Sequence, residues 1–403
     1  MAGRPQKDNP LTMSATSALK VVIATRIYTP EPAAASFRLS ALAGALANKG
    51  HKVRVMTASL PGIDVGPNDP GARTGVRVER APVLRDKTGY LRGYIPYLSF
   101  DIPLFFRLLW GVKGADAIVV EPPPTTGCVV RVVSKVLGIP YVAYCPDIWS
   151  DAAAQNAPMW VVRLLRLAES FTLRGAQRVI AVSEQMAHRA RELGAKDVRL
   201  AINGIDTAVF SPQNAEKVDD PVFDSPFFLY AGTTSEWQGP DVFIRALSDP
   251  ALKDAQLVFL GSGTVTDALK ELALEIAPGR VHFRDKVTPE QAAYWQSRAL
   301  ACLVSIRPGF GYDYAYPTKV FSALSCGTPV VYAGPGPARE DIATENLGHL
   351  AEHTPESVAQ ALVSVLAAPA DDDMRQRVRL WTIENHSIDV TGINAATIVE
   401  GIF

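Results

Sequence analysis

Short β-branched runs alternate with helical stretches along most of the chain, and this alternation limits the folds that the chain can adopt. Strands that are apolar at almost every position must be covered by helices on both faces of their sheet. The first half therefore predicts one doubly wound parallel sheet that ends near residues 198–206. Its predicted strands are VVIAT (21–25), KVRVMT (52–57), DAIVV (116–120), PYVAY (140–144) and RVIAVS (178–183).

A second series of strands and helices follows and predicts a second sheet of the same kind. The segment 211–226 between the two series is polar, contains three prolines and lacks apolar periodicity, so we expect it to link two domains. The predicted fold class is α/β, with two Rossmann-like doubly wound parallel-sheet domains facing across a cleft. Ligands of such sheets bind at the carboxyl ends of the strands. The predicted strands of the second domain are FFLYAG (227–232), QLVFLGSG (256–263), RVHF (280–283), ALACLVSI (299–306) and TPVVYAG (328–334).

The composition is that of a folded enzyme and not of a disordered chain. Of the 403 residues, 48% are apolar and 20% are charged, and a net charge of −1 removes the electrostatic basis for wholesale nucleic-acid binding. The charge is divided unevenly, because residues 1–206 hold 26 Lys and Arg against 16 Asp and Glu, whereas the remainder holds 14 against 25. Either the basic half faces an anionic partner, or the two halves attract each other.

The cysteines and the first residues of the chain indicate the cellular compartment in which the protein is expected. The four cysteines are Cys128, Cys145, Cys302 and Cys326. They lie far apart beside apolar residues, so we expect buried, reduced thiols. Residues 1–18 lack the apolar core of a signal peptide, and charged residues interrupt the apolar stretch 94–112. We therefore expect a disordered leader over 1–18, no spanning helix, and a cytoplasmic protein that is at most peripheral on the inner face of the cell membrane.

Several segments together resemble family-4 (group 1) glycosyltransferases of the GT-B fold, and the likeness runs from about residue 20 to about residue 385. The segment 316–336 is the most specific, because YPTKVFSALSCGTPVV is similar to the P-S-K-x-x-E-x-x-A-x-G-x-P-V-V pattern of bacterial aminosugar transferases of cell-surface polysaccharide assembly. The other segments are TRIYTPEPAAASFRLSALAGALANKGHKVRVMT (25–57), DIWSDA (147–152), VIAVSEQMA (179–187), NGIDTAVFSP (203–212), GTTSEWQGPDVFIRAL (232–247) and FLGSGT (259–264).

The resemblance implies a retaining glycosyltransferase that moves a sugar, a hexose or an aminosugar, from a nucleoside-diphosphate sugar to a hydroxyl group. A UDP-sugar is the expected donor, and a glycan, a lipid-linked molecule or a small molecule is the acceptor. No cofactor is expected, because the nucleotide sugar is itself a substrate, and no metal is expected, because cations of the protein are expected to do what a metal does in other transferases. The expected parts of the chain are a leader (1–18), an acceptor-side domain (19–210), a linker (211–226), a nucleotide-sugar-binding domain (227–385) and a segment that crosses back to the first domain (386–403).

A diphosphate gains negative charge as the glycosidic bond breaks, so it needs cations, free backbone N–H groups and helix N-termini. One loop of the second domain offers all three. Arg307 and Lys319 bracket this loop with positive charge, and we expect both to be catalytic. Gly309 and Gly311 free its backbone to approach an anion, and Thr318 is the expected N-cap of the next helix. The alternative is an ordinary loop with two solvated cations.

Three residues depart from the family pattern. Many members use a Glu to grip the ribose where this chain has Ser322, which can make only a shorter, neutral hydrogen bond. Many also have an Arg and a Lys in the loop after the first strand of the second domain, where this chain has Thr233 and Gln238 beside Gly232. The resemblance still implies that donor binding involves Gly232, Thr233, Gln238 and Ser322. It also implies that Arg307 and Lys319 must balance the charge of the diphosphate.

The resemblance also implies further contacts with the donor, at residues that hold the matching positions in this sequence. In family members, loops of the second domain read the base through backbone groups, which here belong to Gly263, Lys286 and Val287. A Gly-rich turn of the first domain meets the donor in many members, and Ala34 and Ala35 hold that place here, just before a predicted helix. The alternative is that these alanines only begin an ordinary surface helix.

Two carboxylates follow a buried strand of the first domain, where family members present a His or an Asp to a sugar. We expect Asp147 to be the catalytic polar residue nearest the chemistry and Asp151 to lie on the acceptor side. In retaining members the leaving phosphate is thought to take the acceptor proton, so no protein nucleophile is expected. The alternative role for either residue is to cap a helix.

Two stretches of the first domain, 93–111 and 157–178, mix aromatic residues and leucines with arginines. Either these helices lie on an anionic membrane surface, or they bury their apolar side and expose an arginine face. The arginines are Arg107, Arg163, Arg166, Arg174 and Arg178.

Two other functions stay open. The replacement of expected contacts at Ser322, Thr233 and Gln238 is also typical of a non-catalytic binding or partner subunit of the same fold. A nucleotide-sugar 2-epimerase shares the two-domain architecture, but such enzymes need carboxylate and His acid–base groups, and the sequence shows no convincing cluster of them.

Overall fold

The computed structural model describes most of the chain and divides it into two compact units. The described residues are 18–31, 33–60, 69, 71–86, 91, 93–121, 123–154, 157–313 and 315–403. The first unit comprises Met1–Ala181, Met186–Arg199 and Ala396–Phe403, and the second comprises Val182–Gln185 and Leu200–Ala395. The leader expected over 1–18 lies, except for its last residue, outside the described residues.

A seven-stranded sheet with the order β3-β2-β1-β4-β5-β6-β7 forms the centre of the first unit, and its pairs run parallel from β3 to β6. The strands β1 to β7 are Lys20–Ala24, Lys52–Ala58, Val76–Ala81, Ala117–Val120, Tyr141–Cys145, Arg178–Ala181 and Val198–Leu200. The helices α1 to α6 are Ala34–Asn48, Tyr94–Gly111, Pro124–Leu137, Trp149–Ala153, Met159–Gly175 and Glu184–Glu192.

The second unit contains a six-stranded sheet with the order β10-β9-β8-β11-β12-β13, in which every pair is parallel. The strands β8 to β13 are Phe227–Ala231, Gln256–Leu260, Val281–Arg284, Cys302–Ser305, Val330–Ala333 and Gly348–Ala351. The helices α7 to α14 are Asp241–Ala246, Thr266–Ile276, Pro289–Arg298, Thr318–Ser325, Ala338–Thr344, Pro355–Ala367, Asp372–His386 and Ile388–Glu400. The two doubly wound parallel sheets confirm the predicted α/β class.

Strand β8 shows why helices cover both faces of this sheet. Successive side chains of a strand point to opposite faces. Phe228 and Tyr230 belong to one hydrophobic cluster, whereas Phe227 and Leu229 belong to the cluster on the other face. All four side chains are buried, so neither face of the strand is left to solvent. This is the arrangement that the continuous apolar runs predict.

The edge strands β3 and β13 were not among the strands that the sequence predicts. β3 has the sequence VRVERA, in which only Val76 is buried, and three of the four residues of β13 are half-buried. A strand at the edge of a sheet tolerates charged residues because one of its sides meets solvent. The apolar run that marks a central strand is therefore missing from both.

The segment expected to link two domains is attached to the second unit. It contains a 3₁₀ helix at Pro221–Asp224, and the Asp220 carboxylate accepts a hydrogen bond from the Val222 N–H at 3.0 Å. The same carboxylate forms an ion pair with Arg284 at 2.6 Å. This pairing lowers the pKa of Asp220.

The remaining expectations about the chain as a whole concern its thiols and its helices. Cys145, Cys302 and Cys326 are buried, Cys128 is half-buried, and all four are free thiols, as predicted. Among the helices that the structure describes, none combines the length and the apolar character needed to cross a bilayer.

Candidate functional site

A cavity of about 480 Å³ lies at the carboxyl edge of the second unit's sheet. It is bordered by the loops that follow β8, β9 and β10 and by the start of α10. This is the edge at which open parallel sheets bind ligands. The residues that line the cavity are Ile205, Phe210, Ala231, Gly232, Thr233, Leu260, Gly261, Ser262, Lys286, Val287, Pro289, Ala292, Gln296, Thr318, Lys319 and Ser322.

Glycines let the loops behind the cavity approach one another closely. Gly232 has a φ of 118°, and a Cβ atom there would lie 2.9 Å from Cε of Lys319. Gly261 has a φ of 115°, and a Cβ atom there would lie 2.7 Å from the carbonyl oxygen of Gly232. Other residues rarely adopt these conformations, and any side chain here would displace Lys319 or separate the two loops.

Lys319 is the principal cation of the cavity. Its ammonium group donates to the Tyr230 hydroxyl at 2.6 Å and to the Thr233 carbonyl at 2.8 Å, and it lies 3.8 Å from the centre of the Tyr230 ring. Burial lowers the pKa of Lys319 to about 7. Lys286 is a second, exposed cation at the rim, and none of the described lining residues is acidic. The cavity therefore favours an anion, whose charge would restore the proton on Lys319.

Helix α10 adds its N-terminus to this positive environment. The helix begins at Thr318, and Pro317 is its N-cap, so the expectation that Thr318 is the N-cap is wrong by one residue. The cause is Pro317 itself, which holds an extended conformation that ends the loop before the helix. The first turn of α10 contains no acidic residue, so the N–H groups and the dipole at this end favour an anion.

One turn beyond Lys319 on α10, the lining of the cavity is neutral. The Ser322 hydroxyl accepts a hydrogen bond from the Gln296 side-chain amide at 3.1 Å and donates to the carbonyl of Lys319 at 3.1 Å. Gln296 is only 3% exposed, and its carbonyl oxygen accepts from the Cys326 thiol at 3.3 Å. At the position where the family pattern has a Glu, the chain thus has a hydroxyl group that is already hydrogen-bonded to its neighbours.

The structure brings together many, but not all, of the residues predicted to bind the donor. Those that line the cavity are Gly232, Thr233, Lys286, Val287, Thr318, Lys319 and Ser322. Gly263 lies behind it, where a Cβ atom would come within 2.0 Å of the Thr234 carbonyl oxygen. Gln238 is buried, and its carbonyl oxygen accepts hydrogen bonds from the Ser235 and Tyr230 hydroxyls, each at 3.0 Å. Gln238 therefore positions Tyr230, which in turn contacts Lys319.

Arg307 does not line this cavity, which corrects the expectation that it shares one anion with Lys319. Its guanidinium forms an ion pair with Asp241 and lies over the Phe310 ring. Its backbone N–H donates to the carbonyl of Trp237 at 2.9 Å. These contacts place Arg307 on a separate cavity of about 390 Å³.

The glycines of the same loop have the backbone freedom that the sequence predicts, since the φ values of Gly309 and Gly311 are 81° and 79°. Neither glycine lines the cavity that contains Lys319, so the anion contact expected of them is not found there. The Gly309 N–H instead donates to the two carboxylate oxygens of Asp313, at 3.0 and 3.3 Å. An acidic side chain of the loop itself thus occupies this donor, which corrects the assignment of both glycines to the diphosphate.

In the first unit, the two predicted carboxylates have different surroundings. Asp147 is exposed after β5 and borders a cavity of only about 30 Å³. Asp151 is bound by the Arg189 guanidinium through two hydrogen bonds, at 2.7 and 2.8 Å. The Asp151 side chain stays 40% exposed and its carboxylate can accept further hydrogen bonds, so its assignment to the acceptor side stays a prediction. Neither residue caps α4, because the Glu169 carboxylate accepts from the N–H groups of Trp149 and Ser150.

The alanines predicted to replace a Gly-rich turn lie at the start of α1. The helix begins at Ala34, with Ala33 as its N-cap, and not after Ala35 as the sequence suggests. Alanine is the best helix former, so the helix extends back over both residues. Both residues therefore lie in the first turn of α1, where Ala34 is exposed and Ala35 is half-buried.

Two residues that hold the groups of this cavity in place were not singled out from the sequence, and of the two only Gln296 lines the cavity itself. Tyr230 contacts Lys319, and Gln296 holds Ser322. A signal for Tyr230 exists, because a tyrosine near the end of a buried strand needs a partner for its hydroxyl group. Gln296 lies within an amphipathic helix, and no local pattern distinguishes it from a surface residue.

Comparisons with known proteins agree with this architecture. The family described as "Glycosyl transferase 4-like domain" matches residues 34–205, and the family described as "Glycosyl transferases group 1" matches residues 225–368. The D-inositol 3-phosphate glycosyltransferase of Xylanimonas cellulosilytica is 32% identical over 232 residues, which are 51% of this chain and 53% of that protein. The chain thus spans about half the length of the curated relatives that it matches.

Solved structures show the same fold over nearly the whole chain. The sucrose-phosphate synthase of Thermosynechococcus elongatus has a TM-score of 0.68 and 19% identity, and the match covers 96% of this chain and 99% of that one. The HepE protein of Anabaena in complex with UDP and glucose has a TM-score of 0.60 and 16% identity, over 95% of this chain and 100% of that one. With both halves matched by its two families, this chain belongs to the group 1 (family-4) glycosyltransferases of the GT-B fold.

Proposed function

We propose that the chain is a retaining glycosyltransferase that transfers a hexose or an aminosugar from a nucleoside-diphosphate sugar to a hydroxyl group. The observation that carries this proposal is the anion-binding character of the cavity in the second unit. Lys319, Lys286 and the N-terminus of α10 meet there, and the described lining contains no carboxylate. A diphosphate leaving group is the anion that this family requires.

Lys319 acts on the charge that develops as the glycosidic bond breaks. Its ammonium group is held in place by Tyr230 and Thr233, so it needs little reorganisation when the leaving diphosphate forms. The N–H groups at the start of α10 stabilise the same charge. These groups supply what a divalent metal supplies in other transferases, and we therefore propose that the reaction needs neither a metal nor a cofactor.

UDP is the proposed nucleotide, because the Anabaena HepE protein, which shares the fold, forms complexes with UDP and with UDP-glucose. The acceptor is a hydroxyl of a glycan, of a lipid-linked molecule or of a small molecule. Asp147, exposed at the carboxyl end of β5, is the proposed polar residue nearest the chemistry, and Asp151 is the proposed residue on the acceptor side. A place in polysaccharide biosynthesis, in the cytoplasm and peripheral on the inner face of the cell membrane, completes the proposal.

Donor binding is tested by thermal shift and isothermal titration of the whole chain with UDP-, GDP- and dTDP-sugars in the presence of EDTA. We expect a UDP-sugar to raise the melting temperature of the wild type. Lys319→Ala should lose the shift, while Lys253→Ala, which removes an exposed lysine elsewhere in the same unit, should keep it. No response to any nucleotide sugar, or loss of the response in EDTA, would overturn the donor proposal or its independence from metal.

Turnover separates an enzyme from a binding subunit. The purified chain should hydrolyse its donor slowly, or glycosylate a screened acceptor, and NMR should show that the product keeps the anomeric configuration of the donor. Binding without any turnover would favour the non-catalytic subunit that the replaced contacts also allow. Inversion of the anomeric centre would contradict the retaining mechanism.

A further inference from the structure

Three helices of the first unit lie side by side on one face of its sheet. Helix α3 packs against both α2 and α5. The connections from β3 to β4, from β4 to β5 and from β5 to β6 all advance in the same direction through the strand order. Right-handed crossovers therefore place α2, α3 and α5 on the same side of the sheet. The sides of these helices that point away from the sheet form one surface, which we call the three-helix face.

All three helices of the three-helix face expose large apolar side chains. On α2 the exposed apolar residues recur every three or four positions, which is the spacing of one helix side. Those on α5 follow the same spacing, and Val132 and Val136 expose a shorter row on α3 between them. The residues on α2 are Ile95, Leu98, Ile102, Phe106 and Trp110, and those on α5 are Trp160, Leu164, Leu167 and Phe171. Contiguous exposed rows of this kind mark an interaction surface.

The charges of the three-helix face are positive. Its cations are Arg131, Lys135, Arg163, Arg166 and Arg174, of which all but the half-buried Arg131 are exposed. Arg131 lies over the Phe171 ring at 4.0 Å.

The carboxylates of the same helices do not reach the surface. The sequences of α2, α3 and α5 contain only Asp101 and Glu169, and both are buried. Asp101 accepts hydrogen bonds from Thr125 and Thr126, each at 2.6 Å. Outside these helices, the Asp151 carboxylate of α4 lies 3.9 Å from Arg166. No carboxylate of the three helices therefore offsets the cations.

Two of the arginines that were candidates for a membrane surface lie elsewhere. Arg107 donates to the carbonyl of Glu79 at 2.9 Å, and its burial lowers its pKa. Arg178 forms an ion pair with Asp197 at 2.7 Å and donates to the carbonyl of Ile398. Both side chains are held by the rest of the first unit, so neither belongs to the cationic set of the three-helix face.

We propose that the three-helix face docks on an anionic phospholipid bilayer, with the apolar rows at the level of the headgroups and acyl chains and the cations against lipid phosphates. Tryptophans such as Trp110 and Trp160 favour the interface between membrane and water. A second copy of the chain is a poor occupant, because a symmetric dimer would set this cationic face against itself. The docking does not depend on the proposed donor site, so the two proposals can fail separately.

Co-sedimentation of the full chain with vesicles tests the docking. Vesicles of phosphatidylcholine alone are compared with vesicles that contain about one third phosphatidylglycerol, at low and at high salt. We expect binding only to the anionic vesicles, and a loss of at least tenfold at 1 M salt, where the Debye length falls to about 3 Å. Equal binding to both vesicles, or none at low salt, would overturn the proposal.

Substitutions distinguish the contribution of the cations to vesicle binding from that of the apolar rows and from the effect of misfolding. Lys135→Glu with Arg163→Glu should reduce binding to anionic vesicles at least tenfold, and Trp110→Ser with Trp160→Ser should reduce it at both salt concentrations. The matched control, Lys253→Glu with Lys270→Glu, reverses two exposed lysines of the second unit and should bind as the wild type does. Circular dichroism spectra and melting temperatures, measured on every variant without a ligand, report whether the fold is intact.

Equal losses in the control and in the face variants would contradict the assignment of the surface. So would a dimer in solution that the tryptophan substitutions dissociate, because the occupant would then be a second copy of the chain. Failure of the donor shift alone would leave the docking result standing.

Discussion

The two units share a doubly wound parallel sheet, but they use charge in opposite ways beyond the ends of the strands. In the second unit, Lys319 lies in the cavity with no carboxylate partner. In the first unit, Arg38 pairs with Glu121, and Arg26 pairs with Asp101 at 3.3 Å, and all four side chains are buried. A buried pair holds elements together, whereas a half-buried cation without a carboxylate partner is suited to receive an anion. Charge at equivalent edges of similar sheets therefore does not imply the same role.

The net charge of each half conceals this difference. The second half of the chain is acidic overall, and yet its cavity is basic. The first half is basic overall, and several of its exposed cations lie on the outer side of α3 and α5, whereas Arg26 and Arg38 are buried in ion pairs. The sign of a domain's net charge bears on its surface, while the charge of a site depends on a few side chains.

The largest expected effect is on stability and tests whether the ion pair of the first unit is structural. Arg38→Ala leaves Glu121 buried without its partner, and breaking a buried pair in this way costs about 3–5 kcal/mol. Arg199→Ala, which removes a largely exposed partner of Asp197, should cost no more than about 1 kcal/mol. Urea unfolding followed by circular dichroism measures both. Similar losses in the two variants would contradict the structural role.

The next effect concerns the cation of the second unit. Lys319→Ala should lower kcat by about 10²-fold or more, the cost of removing one group that stabilises charge in the transition state. Arg307→Ala should lower it by less than about tenfold, because Arg307 is paired with Asp241 on a separate cavity. Steady-state kinetics with the donor found by screening compares the two. Equal losses would mean that both cations serve the diphosphate, as the sequence alone suggests.

The central strands of both units follow from the sequence because they are buried on two faces, which leaves an apolar run such as FFLY at Phe227–Tyr230. Edge strands lack such an apolar run, and the sequence did not predict β3 and β13 for that reason. Helix starts are also uncertain by one or two residues, as Ala34 and Thr318 show. The balance between a cap, a proline and a good helix former decides such positions, and each contributes only about 1 kcal/mol.

The candidate site was predictable where a residue's place in the strand-to-loop pattern decides its location. Gly232, Lys286 and Lys319 follow strands of one sheet and meet at its edge. The sequence does not show which partner a charged side chain will choose. Asp241 pairs with Arg307, and nothing local to either residue indicates this contact. Such pairs form between distant segments, so only the fold determines them.

A pH profile sharpens the role of Lys319. Burial lowers the pKa of Lys319 to about 7, so the empty cavity loses this charge as the pH rises above 7. A bound diphosphate raises that pKa again, which means that binding above pH 7 must take up a proton. The affinity for UDP should therefore fall about tenfold per unit between pH 7.5 and 8.5. The phosphate of UDP is already ionised in this range, since its second pKa is about 6.

Calorimetric titration of UDP across that range, in buffers with different ionisation enthalpies, measures both the slope and the proton uptake. Lys319→Ala should bind weakly and show no slope. A slope of the same size in this variant would assign the titration to another group.

The smallest expected effect is on UDP affinity and compares the neutral Ser322 with the cationic Lys319. Ser322→Ala removes the acceptor of the Gln296 amide and the donor to the Lys319 carbonyl, and losing such hydrogen bonds costs about 0.5–1.5 kcal/mol of stability. The Kd for UDP should change by less than about threefold, because a hydroxyl that its neighbours already engage contributes little to a ligand. Isothermal titration of UDP, with Ser248→Ala as a control at an exposed serine of the same unit, measures the change. If Ser322→Ala weakened UDP binding as strongly as Lys319→Ala does, the Ser322 hydroxyl would bind the nucleotide directly, as Glu is expected to do in the family. Ser322 would then belong to the recognition site.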